Sequence, residues 1–153
     1  MRFKPVHGVA LVAGVVSLLI LVESGGRGPR RTRVAAGPDG LVTIRVADLG
    51  RESIRYYRFL NPANQEVDFF VAKDASGAPQ VAFDTSENHY KLRRGFRLEK
   101  GWMVDNKCGV VTRLSAVNQG GGGCSPIPLP FQNAGEEVRI TSSDLLQGWR
   151  WFR

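Results

Sequence analysis

Short runs of alternating apolar and polar residues dominate the chain from residue 41 onward. The run LVTIRV at 41–46 alternates as a half-buried strand does, and SIRYYRFL at 53–60 and EVDFFVAKD at 66–74 are rich in aromatic and β-branched residues. The turn-forming sequences NPAN and DASGAP separate these runs and lead into QVAFD at 80–84. The pattern predicts a meander of short strands, each able to pair with its neighbour.

The second half of the chain continues with shorter elements. GFRLE and WMVD flank Lys100-Gly101, which predicts a hairpin over 95–105, and RLSAV at 113–117 is typical of one helical turn. Four consecutive glycines and the segment 125–130 predict an extended loop without regular structure.

The C-terminal part is predicted to close the domain. EVRI at 137–140 predicts a last strand. SSDLLQGWRWF predicts a short helix that is capped by Ser142 or Ser143 and ends at Gly148.

The N-terminus carries a different pattern. Arg2 and Lys4 precede fifteen apolar-rich residues from Gly8 to Val22, a length that suits a signal sequence or a marginal membrane span. We predict that 1–22 is an uncleaved signal anchor, with a single pass and the domain outside the cytoplasm, on the periplasmic side. Cleavage of a signal peptide after residue 25 or 26 is the alternative.

The predicted organisation therefore has three parts. A basic Gly/Pro linker covers 23–40, and a single β-rich domain covers 41–153. The expected fold is mainly β: an anchor helix, then a small antiparallel domain with a zinc-ribbon-like hairpin and a short C-terminal helix.

The charge of the chain favours a membrane surface over a nucleic acid. There are 21 lysines and arginines against 14 acidic residues, for a net charge of +7. Arg27, Arg30, Arg31 and Arg33 cluster just after the apolar run, where a juxtamembrane segment meets lipid headgroups. By the positive-inside rule the same cluster opposes the orientation predicted above. The other basic residues are interspersed with acids, so no nucleic-acid partner is expected.

Two closely spaced pairs and one cysteine carry the candidate chemistry. The pairs are Ser86-x-x-His89 and Asp105-x-x-Cys108, and Cys124 follows the four glycines. Pairs at this spacing on two tight turns are typical of metal sites. The hairpin at 95–105 is expected to bring the turns together.

The donor types narrow the choice of metal. We predict that His89, Asp105, Cys108 and Cys124 bind one transition-metal ion, whereas Ser86 is a poor ligand. Imidazole and thiolate donors suit zinc, copper or iron and do not suit calcium or magnesium.

Plainer interpretations of the same residues stay open. His89 could be a strand-end histidine, and Asp105 could serve only its turn. Cys108 and Cys124 could form a disulfide, the usual state of two cysteines outside the cytoplasm. No Ser/His/Asp order, phosphate loop or paired carboxylate indicates catalysis, so no enzyme is expected.

Five motifs occur in order within residues of about 53–152: YYRF…VDFFVAKDASGAPQVAFD, HYKLRRGFRLEKGWMV, NKCG, GGCSPIPLP and VRITSSDLLQG. Through these motifs the chain resembles a family of predicted iron–sulfur-containing bacterial membrane proteins found beside iron-permease systems. The family pattern has five cysteines, and Cys108 and Cys124 match two of them. Ser86, His89 and Asp105 stand where the other three would be.

The resemblance implies a function in metal uptake or electron delivery, with a metal permease or a redox partner. An iron–sulfur cluster is disfavoured because clusters normally need four cysteines, which leaves a site for a single ion or no metal at all. We therefore predict a membrane-tethered extracytoplasmic metal-binding accessory protein. The alternative is a structural or interaction domain stabilised by a Cys108–Cys124 disulfide.

Overall fold

A computed structural model describes residues 28–153, which form three β-sheets and a short C-terminal helix. The predicted anchor at 1–22 lies outside the described residues, and within 28–153 no helix has the length and apolar character to span a membrane. The strands are β1 Arg31–Val34, β2 Leu41–Arg45, β3 Ser53–Leu60, β4 Glu66–Lys73, β5 Pro79–Phe83, β6 Phe96–Glu99, β7 Trp102–Asp105, β8 Val111–Arg113, β9 Ile127–Pro128, β10 Gln132–Asn133 and β11 Glu137–Thr141.

The largest sheet has the order β1-β3-β4-β5-β9. The predicted meander is confirmed as its antiparallel centre, β3-β4-β5. Strand β4 is buried on both faces, because Phe69 belongs to one hydrophobic core and its neighbour Phe70 to a second. Side chains alternate across a strand, so the continuous apolar run of β4 supplies both cores.

Each core is closed by one of the smaller sheets. The sheet β10-β11-β2 covers the larger core with Val42 and Ile140, and helix α1 (Ser142–Gln147) adds Leu145. The sheet β6-β7-β8 covers the smaller core with Phe96 and Met103. Fully burying such side chains contributes about 1.5–3 kcal/mol each. The predicted hairpin is confirmed as β6–β7, but its zinc-ribbon-like character depends on a metal and stays a prediction.

The predicted linker at 23–40 needs a correction. Within its described part, β1 runs parallel to β3, so the largest sheet is mixed and not purely antiparallel. Strand β1 has no fully buried residue, which explains why no apolar period marks it. It is held by backbone pairing and by Arg31, which forms ion pairs with Asp68 and Asp84.

The C-terminal half differs from the predicted elements in three details. The helical turn predicted at 113–117 is a 3₁₀ helix, Leu114–Gln119. The loop predicted at 125–130 contains the two-residue strand β9, which pairs with β5. The cap of α1 is Thr141 instead of either serine, since its Oγ1 accepts a hydrogen bond from the Asp144 N–H.

Candidate metal centre

Three chain segments meet at one end of the β6–β7 hairpin. The first follows β5, the second is the turn between β7 and β8, and the third is the glycine-rich loop before β9. In the hairpin Asp105 pairs with Phe96, whose N–H donates to Asp84 at the end of β5. The hairpin therefore brings the two turns together, as the sequence predicts.

The turn after β7 is built around the Asp105 side chain. Its Oδ1 accepts hydrogen bonds from the N–H groups of Lys107, at 2.7 Å, and Cys108, at 3.1 Å. The backbone of the turn closes with a bond from the Gly109 N–H to the Asp105 carbonyl. These bonds use one carboxylate oxygen, which leaves Oδ2 to face the other two segments.

The segment after β5 presents His89 and Ser86 to that oxygen. His89 Nδ1 lies 3.4 Å from Asp105 Oδ2, and Ser86 Oγ donates to the same atom at 3.3 Å. His89 is held at the start of a 3₁₀ turn, where its carbonyl accepts from the Leu92 N–H. Ser86 and His89 therefore both contact the carboxylate oxygen that the turn leaves free.

Cys124 reaches the cluster through a loop that requires glycine. Gly123 has a φ of 59°, in the left-handed region that side chains other than glycine rarely adopt. The Gly123 carbonyl accepts a hydrogen bond from the Asn88 N–H, which fastens the loop to the segment after β5. The Cys124 Sγ then lies 3.7 Å from His89 Nδ1 and 3.8 Å from Asn88 Nδ2.

The four predicted donors are gathered at spacings close to those of a coordination sphere. Ligand atoms of His89, Asp105, Cys108 and Cys124 all lie within 4.8 Å of one another, and the two cysteines approach to 3.2 Å. Donors bound to an ion at about 2.0–2.3 Å stand roughly 3.3–3.8 Å apart at the corners of a tetrahedron. Closing this cluster around an ion would need only small side-chain movements.

The surroundings shift the pKa values of Asp105 and Cys124 in opposite directions. Burial acts to raise the pKa of Asp105, but hydrogen bonds from the Lys107 and Cys108 N–H groups and from His89 outweigh it, so this pKa is lowered. The hydrogen bond with Cys108, followed by burial, raises the pKa of the Cys124 thiol. A cation would have to displace the thiol proton, which makes metal binding dependent on pH.

The donor set discriminates between a cluster and a single ion. It contains two thiols, whereas an all-thiolate iron–sulfur cluster needs four. The residues present do not fit such a cluster. One imidazole, one carboxylate and two thiols do fit a single zinc, copper or iron ion.

The structure brings together all four residues that the spacing predicts, although their role as ligands stays a prediction. Both cysteines are free, so the disulfide alternative also stays a prediction. Sequence reasoning missed Asn88, the amide that faces the Cys124 sulfur. Its position beside His89 in the chain was the only available signal, because the contact spans 36 residues.

Comparison with known proteins identifies a related family. No curated protein and no solved structure matches the chain. A family model described as membrane iron-sulfur containing protein FtrD-like matches residues 49–152, which is more than half of the chain. That match confirms the family predicted from the motifs and covers all four donors. The chain therefore belongs to the FtrD-like family of membrane iron–sulfur-containing proteins.

Proposed function

We propose that the protein is a membrane-tethered accessory that holds one transition-metal ion with His89, Asp105, Cys108 and Cys124. The observation that carries the proposal is the convergence of these four donors, from three segments, within 4.8 Å. Chance clusters of exposed acidic groups are common, but this one combines two thiols, an imidazole and a carboxylate that is only 3% exposed.

The family supports the wider setting of this role. Its description joins a membrane location with iron chemistry. Iron is therefore the metal we favour in the cell, while zinc and copper suit the same donors. We propose that the domain lies outside the cytoplasm, tethered by residues 1–22, and serves a metal permease or a redox partner.

The accessory role involves no catalytic turnover of its own. A single ion on this set would be held by the buried Asp105, the half-buried His89 and Cys124, and the exposed Cys108, which leaves one side open to solvent. Such a site can receive or pass on an ion at its open edge. Ser86 and Asn88 would orient the carboxylate and the thiolate of the bound state.

A second candidate is a structural domain without metal. It is favoured by the 3.2 Å approach of the two cysteines, since a small movement would bring the sulfurs to the 2.03–2.05 Å of a disulfide. In that case the fold would dock on a membrane partner, and the disulfide would fasten the glycine loop to the turn after β7.

Elemental analysis of the full chain, purified in detergent without oxygen, distinguishes the two candidates. A free-thiol count on the same sample accompanies it. The metal proposal expects one ion per chain, thiols that are protected until the metal is chelated, and loss of the ion in a His89→Ala variant. Leu92→Ala is the matched control, because Leu92 is an exposed residue in the same 3₁₀ turn.

The opposite result is equally informative. Absence of metal, together with thiols that appear only after reduction, would overturn the metal proposal and favour the disulfide-stabilised domain. Retention of metal in His89→Ala would remove His89 from the ligand set.

A further inference from the structure

A large basic cleft lies beside the candidate metal centre. It encloses about 1120 Å³, and its lining includes five arginines together with Asn106: Arg30, Arg31, Arg93, Arg94 and Arg97. No carboxylate lines it among the described residues. Arginines around a cleft create a positive potential that favours an anionic ligand, to the extent that acidic partners do not neutralise them.

The arginines divide into two groups according to their partners. Arg31 forms ion pairs with Asp68 and Asp84, and Arg97 bonds to Glu99 and Asn106. Arg30, Arg93 and Arg94 have no acidic partner within 4.0 Å in residues 28–153. The second group supplies positive charge that the described part of the chain does not neutralise.

Guanidinium groups match the geometry of oxyanions. Each presents a planar fork of N–H donors that binds phosphate or carboxylate with two parallel hydrogen bonds. Several arginines around one cleft offer more donors than the two oxygens of a carboxylate can accept. A phosphate group, with three or more acceptor oxygens, uses them better.

The position of the cleft in the chain narrows the source of the phosphate. Its lining starts at Gly28, six residues after the apolar run ends at Val22. Six extended residues reach about 20 Å at most, so a run held in a membrane would keep the cleft near the lipid headgroups.

We propose that this arginine cleft binds a phosphate group, supplied by an anionic lipid headgroup or by free phosphate. The lipid source rests on the membrane tether proposed above. Neither source requires a metal. Arg94 also borders the small cavity beside His89 and Asp105, so metal content is measured in every variant to separate the two sites.

The test uses the full chain in nonionic detergent micelles at constant ionic strength. Thermal unfolding is followed while inorganic phosphate is added, or while the micelles are doped with phosphatidylglycerol, or with oleate as an anionic amphiphile without phosphate. A ligand that binds only the folded state raises the unfolding midpoint in a saturable way. The same titrations are repeated in a Cys108→Ser/Cys124→Ser variant, where the metal proposal predicts loss of metal and this proposal predicts unchanged phosphate binding.

Two double variants make the test specific. Arg30→Gln/Arg94→Gln removes two exposed arginines of the cleft that have no ion pair in the described chain. Arg45→Gln/Arg51→Gln removes the same charge from exposed positions elsewhere. We expect phosphate affinity to fall about tenfold or more in the first variant and by less than about twofold in the second.

Each outcome decides the proposal. Saturation by inorganic phosphate at lower concentration than by phosphatidylglycerol indicates a free-phosphate site, and the reverse order indicates a headgroup site. Three results would overturn the proposal. They are an equal loss of phosphate affinity in the two double variants, a rise in unfolding midpoint with oleate that equals the rise with the phosphate ligands, and no saturable response to either phosphate source.

Discussion

Two buried aspartates end two similar apolar strands and have different surroundings. Asp84 follows VAF at the end of β5 and Asp105 follows WMV at the end of β7, and each is 3% exposed. Asp84 meets Arg31 Nη2 at 2.5 Å and the Phe96 N–H at 2.8 Å. Asp105 meets two N–H groups of its own turn, with Ser86 and His89 on the other side.

The pKa values of the two carboxyls shift in opposite directions. Burial raises the pKa of Asp84 even though Arg31 and the Phe96 N–H act against it. Burial also acts to raise the pKa of Asp105, but its hydrogen bonds outweigh that effect and lower it. Both strands therefore end in a buried carboxylate, and the segments that pack against it decide its partners. Asp84 forms an ion pair with Arg31, whereas Asp105 turns one oxygen toward Ser86 and His89.

The largest expected effect comes from removing the Asp84 carboxylate. Asp84→Ala removes a fully buried carboxylate. It leaves the Phe96 N–H without its acceptor, and the mostly buried Arg31 guanidinium keeps only Asp68 as an acidic partner within the described residues. Breaking a buried pair from one side costs about 3–5 kcal/mol in the free energy of unfolding. Guanidinium denaturation of the full chain in detergent measures the loss.

The exposed ion pair of Arg55 with Asp48 is the control for this variant. Asp48→Ala is expected to leave the unfolding midpoint almost unchanged, because surface pairs contribute little. If Asp84→Ala lowered the free energy of unfolding as little as Asp48→Ala, the Asp84 carboxylate would have no structural role. The contrast drawn between Asp84 and Asp105 would then be wrong.

Gly95→Ala tests the packing around Asp84 without removing its carboxylate. A Cβ at Gly95 would lie 2.4 Å from Asp84 Oδ1, and Gly95 has a φ of 58°. Overpacking and left-handed strain together should cost about 2–4 kcal/mol. Gly109→Ala is the control, since its φ is 72° but nothing lies within 4 Å of the added Cβ. Equal unfolding free energies for the two variants would show that contact with Asp84 is unimportant.

The sequence predicted the elements whose pattern is local. The alternating and aromatic runs located β3, β4 and β5 to within a residue, and Lys100-Gly101 located the hairpin turn. The donors were found because two spaced pairs flank that hairpin. Strand β1 was missed because it depends on a parallel pairing with residues 25 positions further along the chain. The cap at Thr141 was missed because it depends on a hydrogen bond that the nearby serines could equally make.

The proposed role of the Asp105 carboxylate is tested by measuring metal affinity, and not the free energy of unfolding. Asp105→Asn keeps an acceptor for the turn but exchanges the carboxylate of a proposed ligand for a neutral amide. We expect metal affinity to fall at least about 100-fold, since changes even outside the ligand set cost 10–100-fold. Competition with a chromophoric chelator measures it.

Asp74→Asn is the matched control for this variant. Asp74 also accepts N–H groups of its own turn, from Ser76 at 2.9 Å and Ala78 at 3.0 Å. Asp74 is not among the grouped donors. An equal loss of metal affinity in both variants would mean that the carboxylate acts only through the fold.

The smallest expected effect isolates a hydrogen-bonded carboxylate that has no histidine or cysteine beside it. Burial acts to raise the pKa of Asp74, but hydrogen bonds from Ser76, Ala78 and Gln80 outweigh it, so the pKa is lowered. A lowered carboxyl pKa stabilises the fold above the unfolded value of about 3.9, and the gain is lost as pH falls through the folded value. We therefore expect the free energy of unfolding of the wild type to exceed that of Asp74→Asn by about 1 kcal/mol at about pH 6, and by less at about pH 3. Urea denaturation at the two pH values measures this difference; a gap that stays constant or widens on acidification would show that the carboxylate charge is not what stabilises this turn.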